Sequence, residues 1–409
     1  MKKLKLNAYL LVGFLLIVFG CKDVGQNSMT PEIATYQNER AATRTSAVLT
    51  LEQKEKLETF ASKLPKNILT QLRIKESIAN KIDPYYSNMV KSLSKAVEPT
   101  PCDDNTPIIQ WLRGELIGWS EVVNDGGSSA FDYADDLALL DLPTVDALLF
   151  ENSSDNQYFG IHGEYTQQST KTFKDLKRFW NINSSGMVLG GMHGSMLLDR
   201  NKIIRAYLNG FEGINQQVAE DLADYVLYLM EIIPQYRNGD HPIFTFNAFA
   251  LNGFESGSIG IIPSKIIMGD GIVLGYATLG YLDVATESIM SHEYGHQIQF
   301  QLSLFEEQKS PEATRRTELM ADAYSAYYLT HARGATMQWK RVQLFLKVFS
   351  NIGDCSFTSN SHHGTPAQRV AAATWGNKLA ENTKQQGSIL STQEFTALFE
   401  AELPHLIMF

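Results

Sequence analysis

Apolar residues along this chain are grouped in different ways, and each grouping predicts a different element. Near the start, an unbroken apolar run from Ala8 to Gly20 follows Met1-Lys2-Lys3-Leu4-Lys5. It is too short to span a bilayer permanently and has the length of a signal-peptide core. Further on, Leu57, Phe60, Ala61 and Leu64 recur at helical spacing between a capping-box pair, Thr50 and Gln53, and Pro65, which predicts a helix with both ends marked. Val218, Leu222, Tyr225, Leu229 and Ile232 keep the same spacing up to Pro234 and predict a core helix. The runs His241 to Leu251, Ser258 to Ile262 and Lys265 to Met268 are continuously apolar or aromatic, predicting strands of a small sheet closed by Gly269-Asp270-Gly271. Helical pattern then carries Ile289 to Ile298. A further helix starts at Ser310-Pro311-Glu312, with a cap, a first-turn proline and a first-turn carboxylate.

These elements divide the chain into a signal sequence (1–20), a polar, aperiodic tether (21–48), a helical N-terminal region (49–105) closed by a Pro-rich stretch, a mixed or helical intermediate region (106–240), and a domain carrying sheet and candidate chemistry (241–409). With 409 residues, 44% hydrophobic and 20% charged, the composition is that of a folded protein with sizeable cores. Loss of residues 1–20 removes Lys2, Lys3 and Lys5 and takes the formal charge from −10 to −13. Such an acidic chain is a poor binder of nucleic acid or of an anionic membrane face through its surface charge. Asp132, Asp135, Asp136 and Asp141 lack the spacing of a calcium loop and read as a solvated helix face. His162-Gly163 and His193-Gly194 read as loop histidines, not as a second metal site.

Candidate chemistry concentrates in Ile289 to Ile298 and Glu318 to Asp322. On a helix, His292 and His296 stand one turn apart on one face, the spacing two imidazoles need to bind one zinc ion, and Glu293 lies beside them, placed to take a proton from water. The string alone is short enough to arise by accident, but its flanks are uncharged and a second helix brings Glu318 and Asp322 at i,i+4. The Glu318 carboxylate suits zinc as a third ligand, and Asp322 is placed to accept the other N–H of His292. Three protein ligands leave one position open, as a catalytic zinc site requires. Peptide hydrolysis also needs a donor for the oxyanion. His363, in Ser361-His362-His363-Gly364-Thr365-Pro366-Ala367-Gln368-Arg369, is the candidate, with His362, Tyr324 and Tyr328 as alternatives.

Several of these strings resemble known families. His292-Glu293-x-x-His296 with Glu318-x-x-Ala321-Asp322 resembles the gluzincin metallopeptidases, which implies an α+β, zincin-like domain, zinc as cofactor and a peptide or protein substrate. Asn247-Ala248-Phe249 and Met268-Gly269-Asp270-Gly271 are similar to the substrate-binding edge strand and following turn of thermolysin-type enzymes. By that likeness Asn247 and the Ala248 backbone hold an extended peptide beside the sheet. His363 and Arg369 match the H-G-T-x-x-Q-R string of bacterial neutral zinc metallopeptidases and the His-to-Arg spacing of CAAX-type membrane endopeptidases. The likeness implies an oxyanion role for His363 and structural support from Arg369. Two departures stand out: no multi-span membrane portion accompanies the site, and Thr317 replaces the Asn that precedes the Glu ligand in thermolysin-type enzymes, so His296 is left without an assigned partner. The resemblance covers Ile243 to Ala373.

Ile17-Val18-Phe19-Gly20-Cys21 resembles the lipobox of bacterial lipoproteins, which implies a lipid on Cys21 and a place in the cell envelope. Cys102 and Cys355 then remain, as a disulfide or as two buried thiols. The expectation is thus an exported, lipid-anchored zinc endopeptidase. The alternatives are a non-catalytic surface-binding or scaffold lipoprotein that keeps the peptidase fold, and a zinc amidase acting on a non-peptide amide such as a cell-wall linkage.

Overall fold

The computed structural model describes residues 48–82, 105–306, 308–351, 353–354, 359–383 and 387–409. The expected signal sequence, Cys21, most of the tether, Cys102 and Cys355 lie outside these residues. Thr50 and Gln53 form the expected capping box in both directions at the start of α1 (Leu51–Lys63). In chain order there follow α2 (Ile68–Gln71), α3 (Glu76–Ala79), α4 (Pro107–Glu115), α5 (Ala130–Asp136), α6 (Leu142–Phe150), α7 (Thr166–Phe179), β1 (Val188–Met192), α8 (Arg200–Gly210) and α9 (Gln216–Ile232). The second part comprises β2 (Ala248–Leu251), β3 (Phe254–Ser256), β4 (Gly260–Ile262), β5 (Lys265–Gly269), α10 (Asp270–Thr278), α11 (Leu282–Gln301), α12 (Pro311–Thr330), α13 (Trp339–Asn351), α14 (Pro366–Thr383) and α15 (Thr392–Leu406). The described chain is therefore mostly helical α+β, with a small mixed sheet.

That sheet has three strands in the order β1-β5-β2, with β1 parallel and β2 antiparallel to β5. β3 and β4 pair separately as an antiparallel hairpin. The strand β1 comes from residues 106–240 and carries no alternation that would announce it. Its sequence Val-Leu-Gly-Gly-Met is buried at every position, as a strand covered on both faces must be. One continuous apolar cluster, from Leu49 to Leu406, packs around the sheet and helices.

Two expectations require correction. The run His241 to Leu251 is not one strand: Pro242–Thr245 is a 3-10 turn, and only Ala248–Leu251 is extended. Pro242 has no N–H to give a ladder, and the His241 ring accepts from the Ile243 N–H at 3.2 Å, which closes the turn instead. Gly269-Asp270-Gly271 is likewise not a closing turn. Gly269 caps α10 and Asp270 sits in its first turn, where a carboxylate meets the positive end of the helix dipole. At the carboxyl ends of β1 and β5, His193 Nδ1 donates to Asp270 Oδ2 at 2.8 Å and its ring stacks on Tyr158. His162 is exposed. Asp132 closes a capping box with Ser129, and Asp135 and Asp136 face solvent as a solvated helix face requires, but Asp141 is half-buried at the N-cap of α6 and does not share that face.

Lys265, fully buried at the start of the central strand, donates from Nζ to Leu148 O, Glu151 O and Asn152 Oδ1 at 2.9, 2.8 and 2.6 Å. The ammonium so closes the C-terminal end of α6 and ties it to the sheet.

Candidate metal centre

The site is built where α11 crosses α12, and small residues decide how close the crossing is. On α11, Ser288, Ser291 and Gly295 recur at helical spacing and face α12. Ser325 Oγ donates to Ser288 O at 3.1 Å and meets Ser291 Oγ at 2.5 Å. A methyl placed on Gly295 would lie 3.0 Å from Ala321 Cα, so the two backbones touch at this point. Gln297, on the opposite side of α11, donates to Leu251 O and Lys265 O at 3.1 and 2.8 Å and seats the helix on the sheet. Ser310 starts α12 as expected, accepting from the Ala313 N–H.

This crossing brings His292, His296 and Glu318 together, with candidate ligand atoms all within 4.8 Å of one another. His292 Nε2 lies 3.3 Å from Glu318 Oε2, and His296 Nε2 lies 3.2 Å from Glu318 Oε1. The far ring nitrogens are committed elsewhere. His292 Nδ1 donates to Asp322 Oδ1 at 2.9 Å, and His296 Nδ1 donates to Gln299 Oε1 at 2.8 Å. Arg369 forks onto Asp322, with Nε to Oδ2 at 2.6 Å and Nη2 to Oδ1 at 2.7 Å, and its Nη1 reaches Glu318 Oε2 at 3.3 Å.

Do these residues fit a metal ion? With both Nδ1 atoms donating, each neutral ring turns an Nε2 lone pair toward a carboxylate that is itself an acceptor. Lone pairs and carboxylate oxygens converge with no proton between them, an arrangement that a bound cation, or a proton taken up by a ring, reconciles. The charge balance agrees. Glu293, Glu318 and Asp322 are buried against the single guanidinium of Arg369, which leaves this cluster two positive charges short, the deficit a divalent ion supplies. Two imidazoles and a carboxylate form a donor set suited to zinc.

Without the ion, the same demand for positive charge acts on His292. Burial alone would lower the His292 imidazole, but its bonds to Asp322 and Glu318 outweigh burial and raise it to about 10. Burial would raise Glu318, yet His363, His296 and His292 hold it well below the usual carboxylate range. Glu293 behaves differently: burial dominates and lifts it above that range, against the pull of His292 and His296.

The group of His292, His296 and Glu318 opens onto a cavity of about 360 Å³ lined by Asn247 to Asn252, Glu293, Phe300, Phe305, Phe349, His363 and Arg369, among others. One wall is β2, an edge strand. Because the Gly269 N–H donates to Asn247 O, residues 247, 249 and 251 point their backbone groups at β5, and Ala248 and Ala250 point theirs outward.

His363, not His362, lines this cavity. Its Nδ1 lies 3.6 Å from Glu318 Oε2. Asp354 makes the distinction by accepting His362 Nδ1–H on Oδ1 and the His363 backbone N–H on Oδ2, both at 2.7 Å, so the His362 ring is turned into the protein. Tyr324 donates to Thr392 O at 3.1 Å, facing α15, and neither it nor Tyr328 lines the cavity.

The string after His363 is a helix start. Gly364 takes a φ of +91°, a left-handed conformation that glycine adopts without cost. Thr365 and Gln368 then form a reciprocal cap, and Arg369 falls in the first turn of α14, aimed at Asp322. Sequence reasoning missed Gln299, which supplies the partner of His296. Its only signal is a glutamine three residues after a ligand histidine. No protein-family model matches the chain, and neither curated proteins nor solved structures yield a match.

Proposed function

We propose that the protein is a zinc-dependent peptidase of the gluzincin kind, an endopeptidase in which His292, His296 and Glu318 hold the metal and Glu293 is the general base. The observation that carries this reading is the convergence of two Nε2 lone pairs on the Glu318 carboxylate, with Glu293 buried beside them in a cavity that one open strand edge borders. A divalent ion bound there supplies Lewis acidity, acidifying water and polarising a substrate carbonyl.

The chain's own residues do the rest. Glu293, kept partly desolvated, takes the proton of the attacking water and passes it to the leaving amine. His363 donates to the oxyanion that develops on the scissile carbonyl. Asp322 and Arg369 keep the His292 ring fixed throughout. An extended peptide alongside β2 takes backbone hydrogen bonds from Ala248 and Ala250 and a side-chain bond from Asn247, an instance of strand addition. In this reading the chain is exported and held at the cell envelope of a bacterium by lipid on Cys21. Among the described residues, no helix is long and apolar enough to cross a membrane.

The test pairs zinc content with cleavage of a diverse peptide library, in wild type and in Glu293→Gln. Both proteins should hold near-stoichiometric zinc, and the variant should lose roughly 10²- to 10⁴-fold in rate. Wild type that lacks zinc under non-chelating conditions overturns the metal reading, and equal cleavage by both removes Glu293 from its role. Zinc without cleavage in either protein leaves the scaffold function in its place.

A further inference from the structure

Gln299 is fully buried on α11, one turn beyond His296, and its two amide ends serve different elements. Nε2 donates to Thr317 O on α12 at 2.7 Å, while Oε1 accepts from His296 Nδ1 at 2.8 Å. A backbone carbonyl can only accept, so the Thr317 contact fixes which end of the amide is which. Reversal would set two oxygens against each other in a site closed to solvent. With Oε1 thereby turned to the ring, Nδ1 must carry the proton, and the lone pair of the neutral imidazole lies on Nε2, toward Glu318.

We propose that Gln299 is the positioning residue that sets the tautomer of His296 and, through Thr317, ties the third ligand to the first two. The inference rests on the metal reading above. It also explains an asymmetry in the site. His292 is supported by a carboxylate whose charge Arg369 balances, whereas the partner of His296 Nδ1 is a neutral amide. A neutral amide orients its ring without adding a further buried negative charge to a cluster already two positive charges short. Because Thr317 immediately precedes Glu318, the same side chain holds the backbone that presents the third ligand.

The experiment compares Gln299→Met, of similar length and without polar atoms, with Gln299→Glu, which can accept from Nδ1–H but cannot donate to Thr317 O. Zinc affinity is measured by competition with a chromophoric chelator. The tautomer of His296 is read in the zinc-free protein from long-range ¹H–¹⁵N correlations, at a pH where the imidazole is neutral. Thermal midpoints establish that both variants fold. Gln299→Met should bind zinc about 10- to 100-fold more weakly and show His296 as a mixture of tautomers, while Gln299→Glu should keep the Nδ1–H tautomer. Unchanged affinity in Gln299→Met overturns the proposal, as does a Gln299→Glu protein whose His296 tautomers are as mixed as those of Gln299→Met. If wild type binds no zinc, the functional reading fails by itself, and the tautomer in the zinc-free chain still decides the role of Gln299.

Discussion

Arg369 and Asp322 form a bidentate pair with neither side chain exposed, and the stability of the metal site should rest on it. Arg369→Met keeps an apolar stem about as long as the arginine's to Nε and deletes the guanidinium. Asp322 is then left buried with one donor, His292 Nδ1, and Glu318 loses the Nη1 contact at 3.3 Å. Breaking a buried pair by removing one partner costs about 3–5 kcal/mol. The surviving His292 bond places this case at the lower end, about 3 kcal/mol, which in a chain of this size lowers the thermal midpoint by about 3–4 °C. Asp322→Asn should cost a similar amount, because it strands the guanidinium instead. The double variant strands neither charge, and its midpoint should lie no lower than that of either single variant, a coupling of at least about 3 kcal/mol. The measurement is thermal unfolding of the four proteins in chelator, so that metal binding does not add its own stabilisation. Losses that simply add in the double variant would refute the reasoning.

Two further predictions concern how the site is held. Gly295→Val puts branched atoms where even a methyl would lie 3.0 Å from Ala321 Cα. It should cost about 1–3 kcal/mol and weaken zinc binding in chelator competition by separating α11 from α12; an unaltered midpoint would show that the helices do not meet there. Asp354 is held below the usual carboxylate range: burial opposes this, but bonds from His362 and the His363 backbone outweigh it. A depressed folded value means that its contribution is full above the unfolded carboxylate pKa of about 4 and is lost as pH falls through the folded value. Asp354→Asn should therefore lower the stability at neutral pH by about 1–3 kcal/mol, and the gap to wild type should close as the pH is taken below about 4. A gap independent of pH would contradict the assignment.

What was legible in the sequence is what spacing along one helix determines. His292, Glu293 and His296 need no knowledge of the fold to be read as one face, and Glu318 with Asp322 repeats that logic on a helix whose cap, Ser310, is also local. Thr50 with Gln53 and the periodic run ending at Ile232 belong to the same class. The misses have physical causes. Val188–Met192 is a strand only because other elements cover both its faces, and Val-Leu-Gly-Gly-Met has no alternation to disclose that. His241 to Leu251 reads as one apolar run, but the proline within it removes a donor and the His241 ring closes a turn.

Gln299 escaped notice for a deeper reason. A glutamine is common on any helix, and its role depends on which carbonyl lies opposite, a fact fixed by the approach of α12 and not by α11. The same holds for Arg369, whose meaning comes from Asp322 on another helix. In this site, the atoms that could bind the metal and the atoms that hold the helices together belong to one hydrogen-bonded set: Gln299 joins His296 to α12, Asp322 joins His292 to α14 through Arg369, and Glu318 reaches His292, His296 and Arg369. Loss of any member should therefore register in both stability and metal affinity. A ligand set merely displayed on a rigid scaffold would let the two vary independently.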